Sequence, residues 1–159
     1  MRGNGHTCSD LAISLAQGRY FRGLLLLLVL FIFRVAGQLV QKLHPISVLP
    51  PFERWFSGAL AYEWLLGSQI LIIFIMSHIV FRFARKRIVP KANLGKWLVV
   101  VGGVYFSVMA IRLILGLTIA IDHSWLGATI PAIFHLVLAL FILLVGRFHL
   151  YFAKDGEVV

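Results

Sequence analysis

Four apolar stretches of the chain are each long enough to form a helix that crosses a lipid bilayer, and they leave room for little else. A transmembrane helix needs about 20 mostly apolar residues. The stretches run from about 23 to 40, 58 to 81, 97 to 121 and 126 to 148. With 159 residues, 60% of them hydrophobic, the chain has the length of one domain and is more apolar than a soluble one. The sequence therefore predicts an all-α integral membrane four-helix bundle.

The connections between the predicted spans are short, and residues 1–19 and 152–159 are predicted tails. Short connections join neighbouring antiparallel helices, so we expect up-down-up-down order. The first connection holds three prolines, at 45, 50 and 51, which prevent one helix from continuing through it. The third, at 122–125, is very tight.

The basic residues that flank the spans fall almost entirely on one side. Eleven Lys and Arg residues flank that side and only Lys42 and Arg54 flank the other. Cytoplasmic loops of membrane proteins carry such an excess, so the pattern predicts that both termini and the connection at 82–96 are cytoplasmic. The eleven residues are Arg2, Arg19, Arg22, Arg82, Arg85, Lys86, Arg87, Lys91, Lys96, Arg147 and Lys154. We expect a multi-pass protein of a bacterial inner membrane.

The first span permits a second interpretation. Its unbroken apolar run, 24–33, follows basic residues and precedes a short Val-Ala-Gly sequence at 35–37. That order also occurs in cleaved signal peptides, although the leading segment here is long for one. Retention of the helix and its cleavage both stay open. Cys8 is the one cysteine, which excludes an intramolecular disulfide.

Polar side chains inside the predicted spans are the candidate functional residues, because an ionisable group in a bilayer is costly unless something compensates it. At about 1.5 Å per residue, Arg34 and Arg112 lie about 17 and 22 Å from the cytoplasmic ends of their spans. Both are therefore predicted in the outer half of the membrane. Other helices bring further polar residues to a similar level. The whole predicted set is Arg34, Gln38, Glu63, Gln69, Arg112 and His135.

This set has two interpretations. As a ligand-binding pocket open to the outer side, its two arginines suit an anionic or carbonyl-bearing group, such as a lipid phosphate, a quinone oxygen or a haem propionate. In the second interpretation the set is structural, and Glu63 pairs with an arginine across helices and satisfies its charge. We expect both arginines to point into the bundle, with Glu63 within direct or water-bridged reach of one of them.

The histidines of the fourth span raise the question of haem. His135 and His149 lie on one helical face, with Ala139 and Gly146 between them. This spacing, two histidines with thirteen residues between, resembles each haem-carrying helix of the cytochrome b of quinol-oxidising complexes. The resemblance covers one helix, and a second such helix is missing. It implies that His78 could pair with His149 around one b-type haem. We predict no cofactor, with haem b as the alternative.

No motif in the chain indicates a reaction. Dinucleotide, P-loop and G-x-S-x-G patterns are missing from the sequence, and the basic residues lie between apolar runs instead of on a soluble face that binds nucleic acid. We expect a non-enzymatic accessory subunit or a binder of a lipid- or quinone-like ligand. A redox protein with haem or quinone and a small transporter are the alternatives. The expected partners are the lipid bilayer and either a membrane protein or a second copy of the chain.

Overall fold

The computed structural model describes residues 4–49, 52–55, 61–118 and 129–153, and every regular element among them is helical. The helices are α1 (Asn4–Leu43), α2 (Phe52–Trp55), α3 (Tyr62–Ala84), α4 (Ala92–Thr118) and α5 (Thr129–Ala153). Within these described residues, four helices are long and apolar enough to span a membrane: α3, α4, α5 and the Leu15–Leu43 part of α1. The predicted all-α fold with four membrane-length helices is confirmed, and it indicates a multi-pass membrane protein.

α1 extends well beyond the predicted first span. It is already helical at Asn4, within the stretch predicted as a tail. Ala16 and Gln17 are almost fully buried, and Gln17 Nε2 donates a hydrogen bond to the carbonyl oxygen of Ile88 at 2.9 Å. The helix therefore packs against the α3–α4 connection before its apolar run begins. The apolar run locates the predicted span, but the helix that contains this span begins well before the run.

α1 and α5 occupy the centre of the bundle. α1 packs against both α3 and α5, and α5 packs against α4. The buried apolar cluster comes from α1, α3 and α5, and its least accessible side chains include Leu24, Phe83 and Phe148. The Phe148 ring meets the rings of Phe83 and Tyr20 edge to face, with centres 4.9 and 5.3 Å away. Within the described residues α3 and α4 make no extensive contact, although they are consecutive in the chain.

α4 approaches α5 closely at glycines. A Cβ added to Gly95 would lie 2.6 Å from the backbone nitrogen of Leu150, and one added to Gly146 would lie 2.9 Å from Leu98 Cβ. Small residues let helices approach in a membrane, where packing and not hydrophobic burial holds helices together. Gly103 differs from these, because a Cβ there meets nothing within 4 Å.

The α3–α4 connection begins with a hydrogen-bonded turn. Arg87 N–H donates to Arg82 O and Lys86 N–H to Phe83 O, while Lys86 adopts a left-handed φ of 51°. This pair of bonds is the Schellman arrangement that ends many helices. It ends α3 and directs the basic connection across the bundle toward α4.

Some predicted features lie outside the described residues. These are the tight third connection at 122–125, the predicted starts of the second and fourth spans at 58 and 126, the predicted end of the third span at 121, and most of the C-terminal tail.

Candidate functional site

Polar side chains from the four long helices meet inside the bundle, and we call this group the polar cluster. Both arginines are buried, with exposures of 5% for Arg34 and 6% for Arg112, so neither faces outward. The cluster is joined by hydrogen bonds and by electrostatic interactions between its members. Its members are Arg34, Gln38, Gln69, Tyr105, Arg112 and His135.

Arg34 compensates its buried charge with a carbonyl group and an aromatic ring. One terminal nitrogen donates to the carbonyl oxygen of Trp55 at 3.2 Å, and the guanidinium carbon lies 5.9 Å from the centre of the Phe134 ring. Arg34 Nε is buried and has no hydrogen-bond partner among the described residues. A buried donor without a partner calls for an explanation, such as a water, an ion or a ligand.

Gln38 and Gln69 join α1 to α3 beside this arginine. Gln69 Nε2 donates to Gln38 Oε1 at 3.3 Å, and both side chains are buried. In the described chain, Gln38 Nε2 has no partner. The pair therefore adds a second unpaired buried donor within about one helical turn of Arg34 along α1.

His135 joins α5 to α4. Its Nδ1 shares a hydrogen bond of 2.6 Å with the Tyr105 hydroxyl oxygen. Both guanidinium groups, of Arg112 and of Arg34, lie close enough to interact electrostatically with the imidazole. Arg112 also interacts with Tyr105, which lies two turns before it on the same face of α4. His135 thus interacts with both arginines.

A cavity of about 100 Å³ opens inside the cluster, and we call it the inner cavity. Arg34, Gln69, His135, Ser68 and Trp55 line it together with apolar side chains from α1, α3 and α5. Complete ligand pockets usually measure about 300–1,000 Å³, so this one holds a head group or a few waters and not a whole cofactor. Among the described residues, no carboxylate lines it.

Glu63 is placed apart from the other predicted site residues. Its side chain is exposed in the first turn of α3, and Arg34 makes no ion pair with it. At about 100° per residue, Glu63 points about 120° away from Gln69, which faces the interior. Tyr62, its neighbour, is the residue of this turn that interacts with Arg34.

The sequence interpretation missed several contributors to the site, of which Tyr105 and the carbonyl of Trp55 make hydrogen bonds to predicted site residues. Tyr105 carries a signal that could have revealed it, because a polar ring two turns before Arg112 shares the face of that arginine. The carbonyl of Trp55 carries no such signal. It belongs to the backbone of α2, which contacts α1 and α5, and the sequence does not indicate that packing.

The histidines of the haem alternative lie along a second, larger cavity of about 500 Å³, which we call the basic cavity. His78 and His149 both line it. His149 Nδ1, however, accepts the backbone N–H of Lys91 at 3.1 Å. A neutral imidazole with an accepting Nδ1 carries its proton on Nε2, which then lacks the lone pair that iron ligation requires. This arrangement does not fit an axial haem ligand at His149.

No three His, Cys, Asp or Glu side chains of the described residues come together as a metal site. Comparisons with models of protein families, with curated proteins and with solved structures find no match to this chain.

Proposed function

We propose that the protein is a small, non-enzymatic membrane protein whose polar cluster binds the acidic or carbonyl-bearing head group of a lipid- or quinone-like ligand. The observation that carries the proposal is Arg34. It is buried, it has no carboxylate partner among the described residues, its Nε is unpaired, and its side chain lines the inner cavity. A ligand oxygen in the cavity supplies the missing acceptor.

The donors around the inner cavity support this assignment. Arg34 offers an N–H, and a ligand oxygen there also comes within the fields of two guanidinium groups, since both act on His135 at the cavity wall. Charge-assisted hydrogen bonds to oxygen are about twice as strong as neutral ones. The small volume admits a phosphate or a carbonyl edge, and the apolar remainder of the ligand lies between α3 and α5, which α1 holds apart.

The proposal includes an orientation and a place. Both termini and the basic connection lie in the cytoplasm of a bacterial cell, the helices run up and down in turn, and the inner cavity lies in the outer half of the inner membrane. The eleven-to-two distribution of basic residues supports this. As an accessory subunit the chain would also contact a second membrane protein or a second copy of itself, and α4, which packs mainly on α5, has the largest free face for it.

The test uses Trp55, whose side chain is 6% exposed at the wall of the inner cavity. Quinones quench tryptophan fluorescence at close range, so decylubiquinone titrated into the protein in neutral detergent reports on this cavity. A parallel titration uses phosphatidylglycerol, detected as retained lipid by native mass spectrometry. We expect saturable binding of one of the two, and Arg34→Gln weakens it about tenfold or more through loss of a charged donor.

Lys42→Gln is the matched control, because Lys42 is an exposed cation on the same helix and lies over the Tyr62 ring, away from the cavity. The Lys42→Gln variant should bind the probe with the same affinity as the unchanged protein. Two results contradict the proposal: binding of neither probe by the unchanged protein, or equal weakening by both substitutions. A Trp55→Phe variant that is quenched as strongly as the unchanged protein shows that the quinone sits elsewhere.

A further inference from the structure

The basic cavity lies at the opposite end of α5 from the polar cluster and has a different design. His149, which lines it, is about 21 Å along α5 from His135. Its walls come from α3, α4, α5 and the connection between α3 and α4. At about 500 Å³ it has the volume of a ligand pocket, whereas the inner cavity does not.

The polar wall of the basic cavity consists of cations and donors. Arg82, Lys91, His78 and His149 line it, and no carboxylate does among the residues that the structure describes. Arg82 and Lys91 lie close enough to interact electrostatically with the ring of His149. Since Nδ1 of that ring accepts the Lys91 backbone N–H, the polar atom left to the neutral ring is an Nε2–H donor. The first turn of α4 also begins here, and helix N-termini favour negative charge.

The rest of the lining includes an apolar wall. Leu98 of α4 and Phe141, Ile142 and Val145 of α5 form it, and all four belong to membrane-length helices. Among the described residues α3 and α4 make no extensive contact, and the cavity lies in the cleft between them. A ligand that satisfies both walls needs an anionic head and an apolar chain in one molecule.

We propose that the basic cavity is a binding site for one acidic phospholipid. The phosphate lies among Arg82, Lys91 and the Nε2–H of His149, and an acyl chain follows the apolar wall between α3 and α4. The charges of the wall complement a phosphate, and the cleft opens to the medium that supplies the lipid. The site is independent of the head-group site at Arg34.

The test is a lipid competition on the full chain in neutral detergent, followed by native mass spectrometry. Phosphatidylglycerol and phosphatidylcholine with the same acyl chains are titrated separately. We expect preferential retention of phosphatidylglycerol. At about 1 kcal/mol for each cation near an anionic lipid, the double variant Arg82→Gln/Lys91→Gln lowers the phosphatidylglycerol affinity about thirtyfold.

The control double variant is Arg85→Gln/Arg87→Gln. It removes the same charge from two residues at the same end of the bundle that do not line the cavity. The phosphatidylglycerol affinity should change by less than about threefold, because these two cations do not contact the phosphate and their attraction at longer range is screened by salt. A charge-preserving variant, Arg82→Lys/Lys91→Arg, should keep the lipid preference. It separates loss of the site from loss of the fold, as does a thermal melt of every variant.

Several outcomes overturn the proposal. Equal retention of the two lipids shows that charge does not select the ligand, and equal losses in the two double variants show a diffuse basic surface in place of a site. Displacement of phosphatidylglycerol by millimolar inorganic phosphate shows a site for free anions.

A Soret band after addition of haem, lost in His149→Leu, shows that the cavity holds a porphyrin. Loss of a dimer in Arg82→Gln/Lys91→Gln shows that a second copy covers the cleft. Native mass spectrometry resolves one bound phosphatidylglycerol from two, so a lipid lost in Arg82→Gln/Lys91→Gln and a lipid lost in Arg34→Gln are counted separately, and the two sites fail separately.

Discussion

The polar cluster and the basic cavity both contain positive charge, yet they manage it in opposite ways. In the polar cluster, both arginines are buried, and the cavity beside Arg34 measures only about 100 Å³. In the basic cavity, cations border about 500 Å³ of open space at the end of the bundle. A buried charge must be compensated where it lies, whereas a charge at a helix end reaches water or lipid head groups. The first arrangement suits a head group held inside the bundle, and the second suits a whole lipid at its edge.

The largest expected effect is an all-or-none difference in membrane side. If the basic cavity is cytoplasmic and the polar cluster lies in the outer half, a reporter fused after Lys91 should read cytoplasmic and one fused after Ser47 should read outside. A fusion after Val159 should agree with the one after Lys91 and serves as the internal control. If the fusion after Lys91 reads outside and the fusion after Ser47 reads cytoplasmic, the assignment of the two sites to the two halves of the membrane is reversed.

The next largest expected effect is a loss of ligand affinity at both sites together, because both sites depend on the contact between α4 and α5. The Tyr105–His135 hydrogen bond and the Lys91–His149 hydrogen bond each cross that contact. Gly95→Ala places a Cβ 2.6 Å from the Leu150 backbone nitrogen. The helices must separate, at a cost of about 1–3 kcal/mol, and lipid and quinone affinities should both fall.

Gly103→Ala is the control for this variant, because its new Cβ meets nothing within 4 Å on the same helix. Thermal unfolding in detergent should show a lower midpoint for Gly95→Ala and an unchanged or slightly higher one for Gly103→Ala, since alanine favours helix by about 0.5–1 kcal/mol. Equal midpoints would mean that the glycine contact does not hold the two helices together.

The sequence allowed the spans to be predicted because a bilayer imposes one strong condition, about 20 apolar residues in a row. It also indicated that Arg34 and Arg112 belong to one level, since their depth follows from helix rise alone. The central position of α1 and α5 depends on side-chain packing. The short connections predicted that consecutive helices are neighbours, but within the described residues the consecutive helices α3 and α4 make no extensive contact. The basic cavity exists because of that separation, so no local pattern predicted it.

Side-chain direction explains the remaining differences in the site. Glu63 lies near the level of the cluster but on another face of α3, and depth alone could not distinguish its face from that of Gln69. His149 has the spacing of a haem-carrying helix, but its ring is fixed by the backbone N–H of Lys91, a contact between residues far apart in the sequence. Periodicity assigns residues to faces, and only packing assigns partners to those faces.

The smallest expected effect isolates the polar cluster from the basic cavity. Tyr105→Phe keeps the ring that meets His135 edge to face at 6.0 Å but removes the hydroxyl that bonds to Nδ1. A half-buried imidazole nitrogen that loses its partner costs about 1 kcal/mol of unfolding free energy. The double variant Tyr105→Phe/His135→Leu removes both polar groups, so its cost should be less than the sum of the two single costs.

Thermal unfolding of the unchanged protein, the two single variants and the double variant gives this coupling. Tyr151→Phe, at an exposed tyrosine of α5, is the control. Phosphatidylglycerol affinity of the basic cavity should be the same in all of them. Strict additivity would show that the hydrogen bond contributes nothing, and a parallel loss of lipid affinity would show that the two ends of α5 are coupled and the two sites are one system.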